Sequence, residues 1–281
     1  MVLTYNISQE LIDRYSAGPS TYRTSSVKAL HESIRDSLGG EFDTFLQGSY
    51  RNNTAIADIN DVDIVALYDP WKSPALAYDW ERLFNQVAGI IRRSPLTGRV
   101  SLGDKCAKYE GSLKADIVPA LSPKPYSSSD PIRIYSRSAR RERDNYPRTH
   151  YANGVTKQEE CRDNYKATVR LFKRWVRQYS SLVAPSFYIE CTVHKVSNSK
   201  FNSYLPYSFA SVGQEILSYT SSTYIPSVAG DKDILVSSEW APSDFKVFQG
   251  KLTGDVERVW GAMTASSRAE ADRLWKWAFG E

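Results

Sequence analysis

The chain has 281 residues, of which 41% are hydrophobic and 24% are charged, and its formal net charge is +4. These values suit one large globular domain or two small ones, and they exclude extensive disorder. No apolar stretch reaches the roughly 18 residues of a membrane span, and the N-terminus has no signal-peptide pattern. Three cysteines without a CxxC spacing argue against a zinc ribbon or a disulfide framework, so we expect a cytoplasmic protein without membrane contact.

The first half of the chain mixes helical and strand patterns. Apolar residues recur on one helical face over residues 25–38 and 75–93, which predicts two amphipathic helices. Short runs rich in β-branched and aromatic residues predict strands, and a Gly-Ser pair between the last two favours a hairpin. These strands are predicted over residues 42–47, 62–68, 106–110 and 113–119.

The second half is predicted to be helical. Thr156 and Glu159 form a capping box, which predicts a helix over residues 156–179. Further helices are predicted over residues 185–196, 209–217, 243–263 and 267–279. The polar stretch 138–156 is predicted to be a linker or surface loop. The basic cluster in and before this stretch is interpreted as a solvated surface or, alternatively, as a contact for RNA or nucleotides: Arg133, Arg137, Arg140, Arg141, Arg143 and Arg148.

A short polar segment after the first predicted strand carries the first chemical signal. Gly48 lets a ligand approach the backbone closely, and Ser49 can cap a following helix whose free N–H groups favour an anion. Asp61 and Asp63 begin the next predicted strand, and their spacing of two places both carboxylates on one face. Because neighbouring carboxylates repel each other, a divalent cation such as Mg²⁺ is a suitable neutralising partner.

A third carboxylate, Asp116, lies in an otherwise apolar predicted strand. Burying an unpaired charge is costly, so a purely structural role for this residue is difficult to justify. A Gly-Ser pair alone is more often a simple turn, and an Asp-x-Asp pair alone is more often a solvated strand end. Three carboxylates combined with a phosphate-binding turn, however, are what two-metal phosphoryl transfer requires.

The chain resembles the DNA polymerase β-type nucleotidyltransferase superfamily in three segments, GSYRNNTAI, DVDIVALYD and KADIVPAL. Within this superfamily it is most similar to the cGAS/DncV-like nucleotidyltransferases (CD-NTases) of bacterial cyclic-oligonucleotide anti-phage signalling. Two further segments are similar to helices of that family, HYANGVTKQEECRDNYKATVRLFKRW and APSFYIECTV. The last residues, LWKWAFGE, resemble the family's common ending. The resemblance extends over roughly residues 20–281.

The resemblance implies roles for particular residues. The ligands of two Mg²⁺ or Mn²⁺ ions are implied to be Asp61, Asp63 and Asp116. Gly48 and Ser49 are implied to hold the donor triphosphate. Lys173 is implied to reach the same phosphates, Ser186 to add a hydroxyl contact, and Phe187 to stack on the donor base.

Some of these assignments have plain structural alternatives. Lys173 is alternatively a solvated cation on a basic helix, and Phe187 is alternatively a core residue. The chain also departs from the animal cyclic GMP-AMP synthase, because it has no Cys/His segment that could form a zinc insertion for DNA. Zinc-dependent sensing of DNA is therefore not expected.

These observations predict a two-lobed α/β protein. A polymerase β-like catalytic lobe with a mixed sheet is expected over residues 1–150 and a helical lobe over residues 151–281, with the active site in the cleft between them. The predicted reaction transfers a nucleoside monophosphate from an NTP to a ribose hydroxyl, releases pyrophosphate, and ends in a cyclic di- or trinucleotide second messenger. The expected partners are NTP substrates, a downstream effector that binds the product, and an RNA or protein activator, and the chain is expected to be a monomer.

Two other functions are open from the sequence. The same site could transfer nucleotides to RNA, tRNA or protein, although RNA tailing would call for a larger RNA-binding region. The chain could instead be an inactive nucleotide- or nucleic-acid-sensing module, but such a module has no need of three carboxylates suited to metal binding.

Overall fold

The computed structural model describes residues 2–59, 61–76, 79–124, 129–234 and 239–281. The chain divides into two compact units. The sheet unit comprises Pro19–Tyr151, and the helical unit combines Met1–Gly18 with Ala152–Glu281. The mixed α/β sheet in one unit and the helices in the other confirm the predicted fold class.

The regular elements are numbered in chain order. The helices are α1 (Gln9–Ser16), α2 (Thr21–Leu38), α3 (Gly48–Asn52), α4 (Trp80–Arg93), α5 (Pro147–Glu160), α6 (Tyr165–Val176), α7 (Ser186–Lys195), α8 (Leu205–Leu217), α9 (Pro242–Thr264) and α10 (Arg268–Ala278). The strands are β1 (Phe42–Gln47), β2 (Asp61–Tyr68), β3 (Arg99–Leu102), β4 (Ala107–Glu110), β5 (Lys114–Leu121), β6 (Ile132–Ser136) and β7 (Arg141–Asn145).

Within the described residues, the sheet has seven strands. Five of them follow the order β1-β2-β5-β4-β3, and β6 pairs with both β5 and β7. β2 and β5 run parallel, whereas β1 pairs with β2, and β4 with β5, in antiparallel fashion. A parallel pair needs a crossover connection, and α4 lies in the segment that joins these two central strands.

The two faces of the sheet bury different sets of residues. One face packs against the apolar stripes of α2 and α4 and contributes Ile64 and Ile117 to that core. The opposite face carries a smaller cluster that includes Val65 and Val118. Because side chains alternate along a strand, three carboxylates also belong to this second face. We call it the aspartate face, defined by Asp61, Asp63 and Asp116.

The amphipathic helix predicted over residues 75–93 is confirmed, but it begins later than predicted. The side chain of Asp79 caps its first turn by accepting a hydrogen bond from the Arg82 N–H at 3.0 Å. Pro74–Leu76 forms a separate 3₁₀ turn, and residues 77–78 lie outside the described residues. The strands predicted at 42–47, 62–68, 106–110 and 113–119 are confirmed as β1, β2, β4 and β5.

The interpretation of residues 138–156 as a loop is wrong. This stretch contains β7, which pairs along its whole length with β6, and the start of α5. The two acidic residues of β7 are paired with one side chain of its neighbour, since Arg133 of β6 contacts Asp144 at 3.1 Å and Glu142 at 3.6 Å. Arg137 contacts Glu81 at 3.1 Å. Part of the basic cluster is therefore engaged in ion pairs within the sheet unit.

The helical unit has its own core, and α1 is part of it. Leu11, Ile12 and Tyr15 are buried among residues of the C-terminal helices. The backbone N–H of Ser8 donates to the carboxylate of Asp272 at 2.7 Å. The structure thus groups the first 18 residues with the helical unit, whereas the sequence analysis assigned them to the catalytic lobe.

The helix predicted over residues 156–179 is two helices, and its predicted start is wrong. α5 begins at Pro147, so Thr156 lies inside a helix and does not cap one. The chain breaks between α5 and α6, where Arg162 and Asp163 adopt φ values of 51° and 64°. Left-handed backbone at two successive residues cannot continue an α-helix. α6 nevertheless contributes to the core of the helical unit, because Phe172 and Trp175 are fully buried.

Among the described residues, none of the helices combines the length and the apolar character that crossing a bilayer requires.

Candidate active site

Residues on adjacent strands form a row across the aspartate face. Asp63 of β2 lies opposite Asp116 of β5 in the parallel ladder, and on its other side it lies opposite Gln47 of β1. Directly opposed residues point to the same face of a sheet and are about 5 Å apart. Backbone pairing therefore brings two carboxylates side by side, and Asp61, two residues earlier in β2, shares their face.

The turn after β1 packs against this row. Gly48 has a φ of 65°, and a Cβ atom at this position would lie 2.1 Å from Oδ2 of Asp63. Only a residue without a side chain can therefore bring its backbone this close to the carboxylate. The following single turn, α3, is held by its own loop, because the Ser49 carbonyl accepts the N–H groups of Thr54 and Ala55 at 3.0 and 3.1 Å.

A buried thiol supports the third carboxylate. The Cys106 side chain is 5% exposed and donates a hydrogen bond to Asp116. Burial, followed by the negative charge of Asp116, raises the pKa of the Cys106 thiol to about 12, so the thiol stays protonated and remains a donor. The sequence analysis missed this residue. The signal that could have found it is its position just before β4, but this signal is informative only once the register of β4 with Asp116 is known.

The carboxylates of the aspartate face fit a divalent metal ion. Oxygen ligands suit Mg²⁺ and Mn²⁺, and the cradle beside Asp63 exists only because residue 48 lacks a Cβ. In the part of the chain that the structure describes, no three His, Cys, Asp or Glu side chains are already arranged to hold an ion.

Three other predicted site residues lie in the helical unit. Ser186 and Phe187 begin α7, where Ser186 is exposed and Phe187 is half-buried. The Lys232 ammonium lies 5.5 Å from the centre of the Phe187 ring, a cation–π contact that the sequence analysis did not anticipate. Phe187 also packs edge-on against Tyr188 at 5.3 Å.

The surroundings of Lys173 contradict its alternative interpretation as a solvated cation, whereas its implied contact with the donor phosphates stays a prediction. Its side chain is 4% exposed and forms an ion pair with the carboxylate of Glu190, which is 5% exposed and lies on α7. Lys173 is thus not a solvated cation of a basic helix. The sequence did not identify its partner, because Glu190 lies on the next helix of the fold.

The predicted site residues therefore fall into two groups. The structure brings Gly48, Asp63 and Asp116 together on the sheet, with Ser49 and Asp61 as their chain neighbours. In the helical unit, Glu190 links Lys173 to the helix that begins with Ser186 and Phe187.

Comparisons with known proteins agree with this architecture. Residues 152–257 match the model of the cGAS/DncV-like nucleotidyltransferase C-terminal helical domain. The chain is 31% identical to the cyclic UMP-AMP synthase of Rhodothermus marinus over 223 residues, which cover 67% of this chain and 77% of that protein. It is 28% identical to the cyclic dipurine nucleotide synthase of Elizabethkingia meningoseptica over 234 residues, covering 70% and 79% of the two chains.

The three-dimensional similarity covers nearly the whole chain. The structure of Rhodothermus marinus CdnE c-UMP-AMP synthase with Apcpp and Upnpp matches with a TM-score of 0.73 and 26% identity. The match covers 93% of this chain and 99% of the other. The chain therefore belongs to the cGAS/DncV-like nucleotidyltransferases and is a cyclic nucleotide synthase of that family.

Proposed function

We propose that the row on the aspartate face carries out nucleotidyl transfer between two NTPs and that the same site then closes the product into a cyclic di- or trinucleotide. The observation that supports this proposal best is the register of Asp63 with Asp116, together with Gly48 against the Asp63 carboxylate. A structural role would not require two carboxylates to be paired on neighbouring strands, where like charges destabilise the sheet.

In the proposed reaction, a ribose hydroxyl of the acceptor forms a bond to the α-phosphorus of the donor, and the bond to pyrophosphate breaks. Asp116 lies nearest the attacking hydroxyl and accepts its proton. Asp61, Asp63 and Asp116 hold Mg²⁺ or Mn²⁺, which, when bound, supplies charge neutralisation at the transferring phosphoryl group. Cys106 keeps Asp116 in place through its hydrogen bond.

The donor nucleotide is proposed to bind residues of both groups. The backbone at Gly48 and Ser49 takes the triphosphate, since no side chain blocks its approach there. Ser186 offers a hydroxyl, and Phe187 offers a half-buried ring for the base. Lys173 is proposed to contribute its charge to the phosphates from within its pair with Glu190.

The wider role follows from the family. We propose that the product is a second messenger of anti-phage defence, made in the cytoplasm, where NTPs are abundant, and bound by a downstream effector. An RNA or protein activator and a monomeric state belong to the same proposal. The relatives make different products, cyclic UMP-AMP in one case and cyclic dipurine nucleotides in another, so the pair of bases must be measured.

The test is incubation of the protein with the four labelled NTPs and Mg²⁺ or Mn²⁺, followed by phosphatase. We expect a phosphatase-resistant product that disappears with EDTA, while circular dichroism shows no unfolding, because an open metal site does not hold the fold together. A label that remains on added RNA or on protein would instead support transfer to those acceptors.

The control for the site is a double variant. Asp61→Asn with Asp63→Asn should abolish pyrophosphate release, whereas Asp36→Asn on α2, on the far side of the sheet, should not. The melting temperature of the double variant without metal should equal or exceed that of the wild type, because two like charges are removed. Pyrophosphate release by the double variant at the wild-type rate would refute the proposed site.

A further inference from the structure

The row across the aspartate face continues beyond the carboxylates. On β4, Lys108 lies directly opposite Asp116, and on its other side it lies opposite Ser101 of β3. Cys106, two residues before Lys108, contacts Asp116 and shares this face. The full row is therefore Gln47, Asp63, Asp116, Lys108 and Ser101, with a single cation beside the carboxylate pair.

The course of the Lys108 side chain follows from its neighbours. Its Cε atom would lie 2.9 Å from a Cβ built on Gly103, and the Cys106 sulfur would lie 3.1 Å from the same point. The lysine stem thus passes over Gly103 and beside the thiol that supports Asp116. Lys108 is exposed, and among the described residues no carboxylate lies within ion-pair distance of its ammonium group.

A second lysine on the same face differs in its surroundings. Lys114 of β5 is flanked in the sheet by Asp61 on β2 and by Glu110 on β4. Lys108 is flanked by Asp116, which a metal would engage, and by the uncharged Ser101. When a divalent ion binds Asp116, the charge of Lys108 is therefore left for a ligand, whereas that of Lys114 is still offset by Glu110.

The order of the strands decides which ligand this is. Gly48 and Ser49, proposed to hold the donor triphosphate, follow β1 at one end of the row, and Lys108 lies three strand spacings away, about 14 Å across the sheet. Asp116, which faces the attacking hydroxyl, lies between them. We infer that Lys108 is a binding residue for the acceptor nucleotide and contacts the 5′-phosphate of the nucleotide whose ribose hydroxyl attacks. This inference rests on the proposed function and extends it to the second substrate.

Substrate analogues that can react in only one role distinguish binding of the acceptor from binding of the donor. A 2′,3′-dideoxynucleoside triphosphate can donate but cannot accept, because it lacks both hydroxyls. A nucleoside 5′-monophosphate can accept but cannot donate, because it has no pyrophosphate to release, and a nucleoside can accept without offering any phosphate. Formation of the linear dinucleotide from such pairs, with the bases that the wild-type enzyme uses, gives separate KM values for donor and acceptor.

We expect Lys108→Ala to raise KM for the monophosphate acceptor by about tenfold to one hundredfold, the range of one hydrogen bond to a charged group. KM for the dideoxy donor and for the nucleoside acceptor should stay within about twofold of the wild type. Lys108→Arg should recover most of the loss, and Lys108→Gln should not. The control is Lys28→Ala, an exposed lysine of α2 on the covered side of the sheet, which should leave all three values unchanged.

A second measurement does not depend on turnover. Acylation of lysines by a water-soluble amine reagent in the presence of Mg²⁺, followed by peptide mass spectrometry, should show Lys108 protected by the nucleoside monophosphate and Lys28 unprotected. An unchanged acceptor KM, an equal rise with the nucleoside acceptor, or a rise in donor KM would overturn the inference, as would absent protection. A wild-type protein that makes no dinucleotide from any NTP would instead refute the proposed function, and the inference with it.

Discussion

At the scale of single residues, the site depends on how closely the backbone can approach Asp63. Gly48 has a left-handed φ of 65°, and a Cβ atom added to it would lie 2.1 Å from the Asp63 carboxylate. The Gly-Ser pair was predicted from the sequence as a phosphate-binding turn. Its contact with the carboxylate could not be predicted, because that contact arises from the antiparallel register of β1 with β2.

Gly48→Ala should therefore damage both the backbone and the site. We expect the free energy of unfolding to fall by about 1–2 kcal/mol, the cost of a left-handed non-glycine residue. Nucleotide transfer should be lost, since Asp63 must turn away from Asp116. The matched control is Gly250→Ala in α9, where a Cβ meets nothing within 4 Å. That variant should gain about 0.5–1 kcal/mol by chemical denaturation and keep its activity. Unchanged activity in Gly48→Ala would contradict the packing described here.

Lys173 shows the limit of a pattern taken from sequence. The resemblance of a helical segment to the family identifies this residue, but its partner lies 17 residues further along the chain and on another helix. Removing one member of a buried ion pair leaves an uncompensated charge, which usually costs 3–5 kcal/mol. A loss of activity in a Lys173→Ala variant could therefore reflect instability as well as a lost phosphate contact.

A cycle of variants separates these two effects. Lys173→Ala should lower the free energy of unfolding by about 3–5 kcal/mol, whereas Lys173→Met combined with Glu190→Leu should be nearly neutral. If Lys173 contacts the donor triphosphate, the stable double variant should still bind NTP more weakly than the wild type, as measured by isothermal titration. Arg174→Ala, which removes a partly exposed contact of 4.0 Å with Glu281, should cost at most about 1 kcal/mol. Wild-type NTP affinity in the double variant would remove Lys173 from the site.

At the scale of elements, prediction succeeded where burial shapes composition. β2 and β5 carry runs of apolar residues because these central strands have buried residues on both faces, and α4 shows an apolar stripe because one of its sides packs against the sheet. β7 was not predicted as a strand. Its sequence, RERDN, is entirely polar and is stabilised by its ladder with β6 and by cross-strand ion pairs, which a local pattern does not contain.

The break between α5 and α6 was not predicted from the sequence either. Arg162 and Asp163 occupy the left-handed region without being glycine, and the turn is closed by hydrogen bonds from their N–H groups to Glu159 and Gln158 at 3.0 and 2.9 Å. A helical pattern continued across this break, so a single helix was predicted. Backbone strain of this kind leaves no mark on composition.

Arg162→Gly should relieve part of that strain. Glycine adopts a φ of 51° without the penalty paid by a side chain, so we expect a gain of about 0.5–1 kcal/mol in the free energy of unfolding. Glu159→Gly, an exposed residue in the last turn of α5, should lose about the same amount, because glycine is unfavourable in a helix. Urea titration of the two variants, read by circular dichroism, provides the comparison. A loss of stability in Arg162→Gly would show that its side chain holds the turn.

At the scale of the whole molecule, the first segment of the chain belongs with the last. Tyr15 stacks on Phe279 with ring centres 4.7 Å apart, and the hydroxyl of Ser8 donates to Asp272 at 2.8 Å. The change from mixed to helical structure was predicted near residue 150. The packing of the N-terminal segment against the C-terminal helices was not predicted, since it depends on contacts between residues far apart in sequence.

Deletion of residues 2–18 should therefore destabilise the helical unit. Removal of Leu11, Ile12 and Tyr15 uncovers apolar surface of its core. Hydrogen exchange followed by mass spectrometry should show faster exchange in α6 and α10, with β2 and β5 as the internal reference. A matched variant, Tyr22→Ala, changes a side chain that is 83% exposed and should leave exchange unaltered. Unchanged protection in α6 and α10 after the deletion would contradict this role of α1.

The pairing of Ser8 with Asp272 also has a consequence for synthesis on the ribosome. The two residues are 264 positions apart, and at the usual elongation rates the earlier one is made roughly 15 to 50 seconds before its partner. The sheet unit is one continuous segment and can fold during that interval. The apolar side of α1 stays uncovered in the nascent chain until α6 and the later helices have been made, so the N-terminal segment is the part of this enzyme that we expect chaperones to bind during translation.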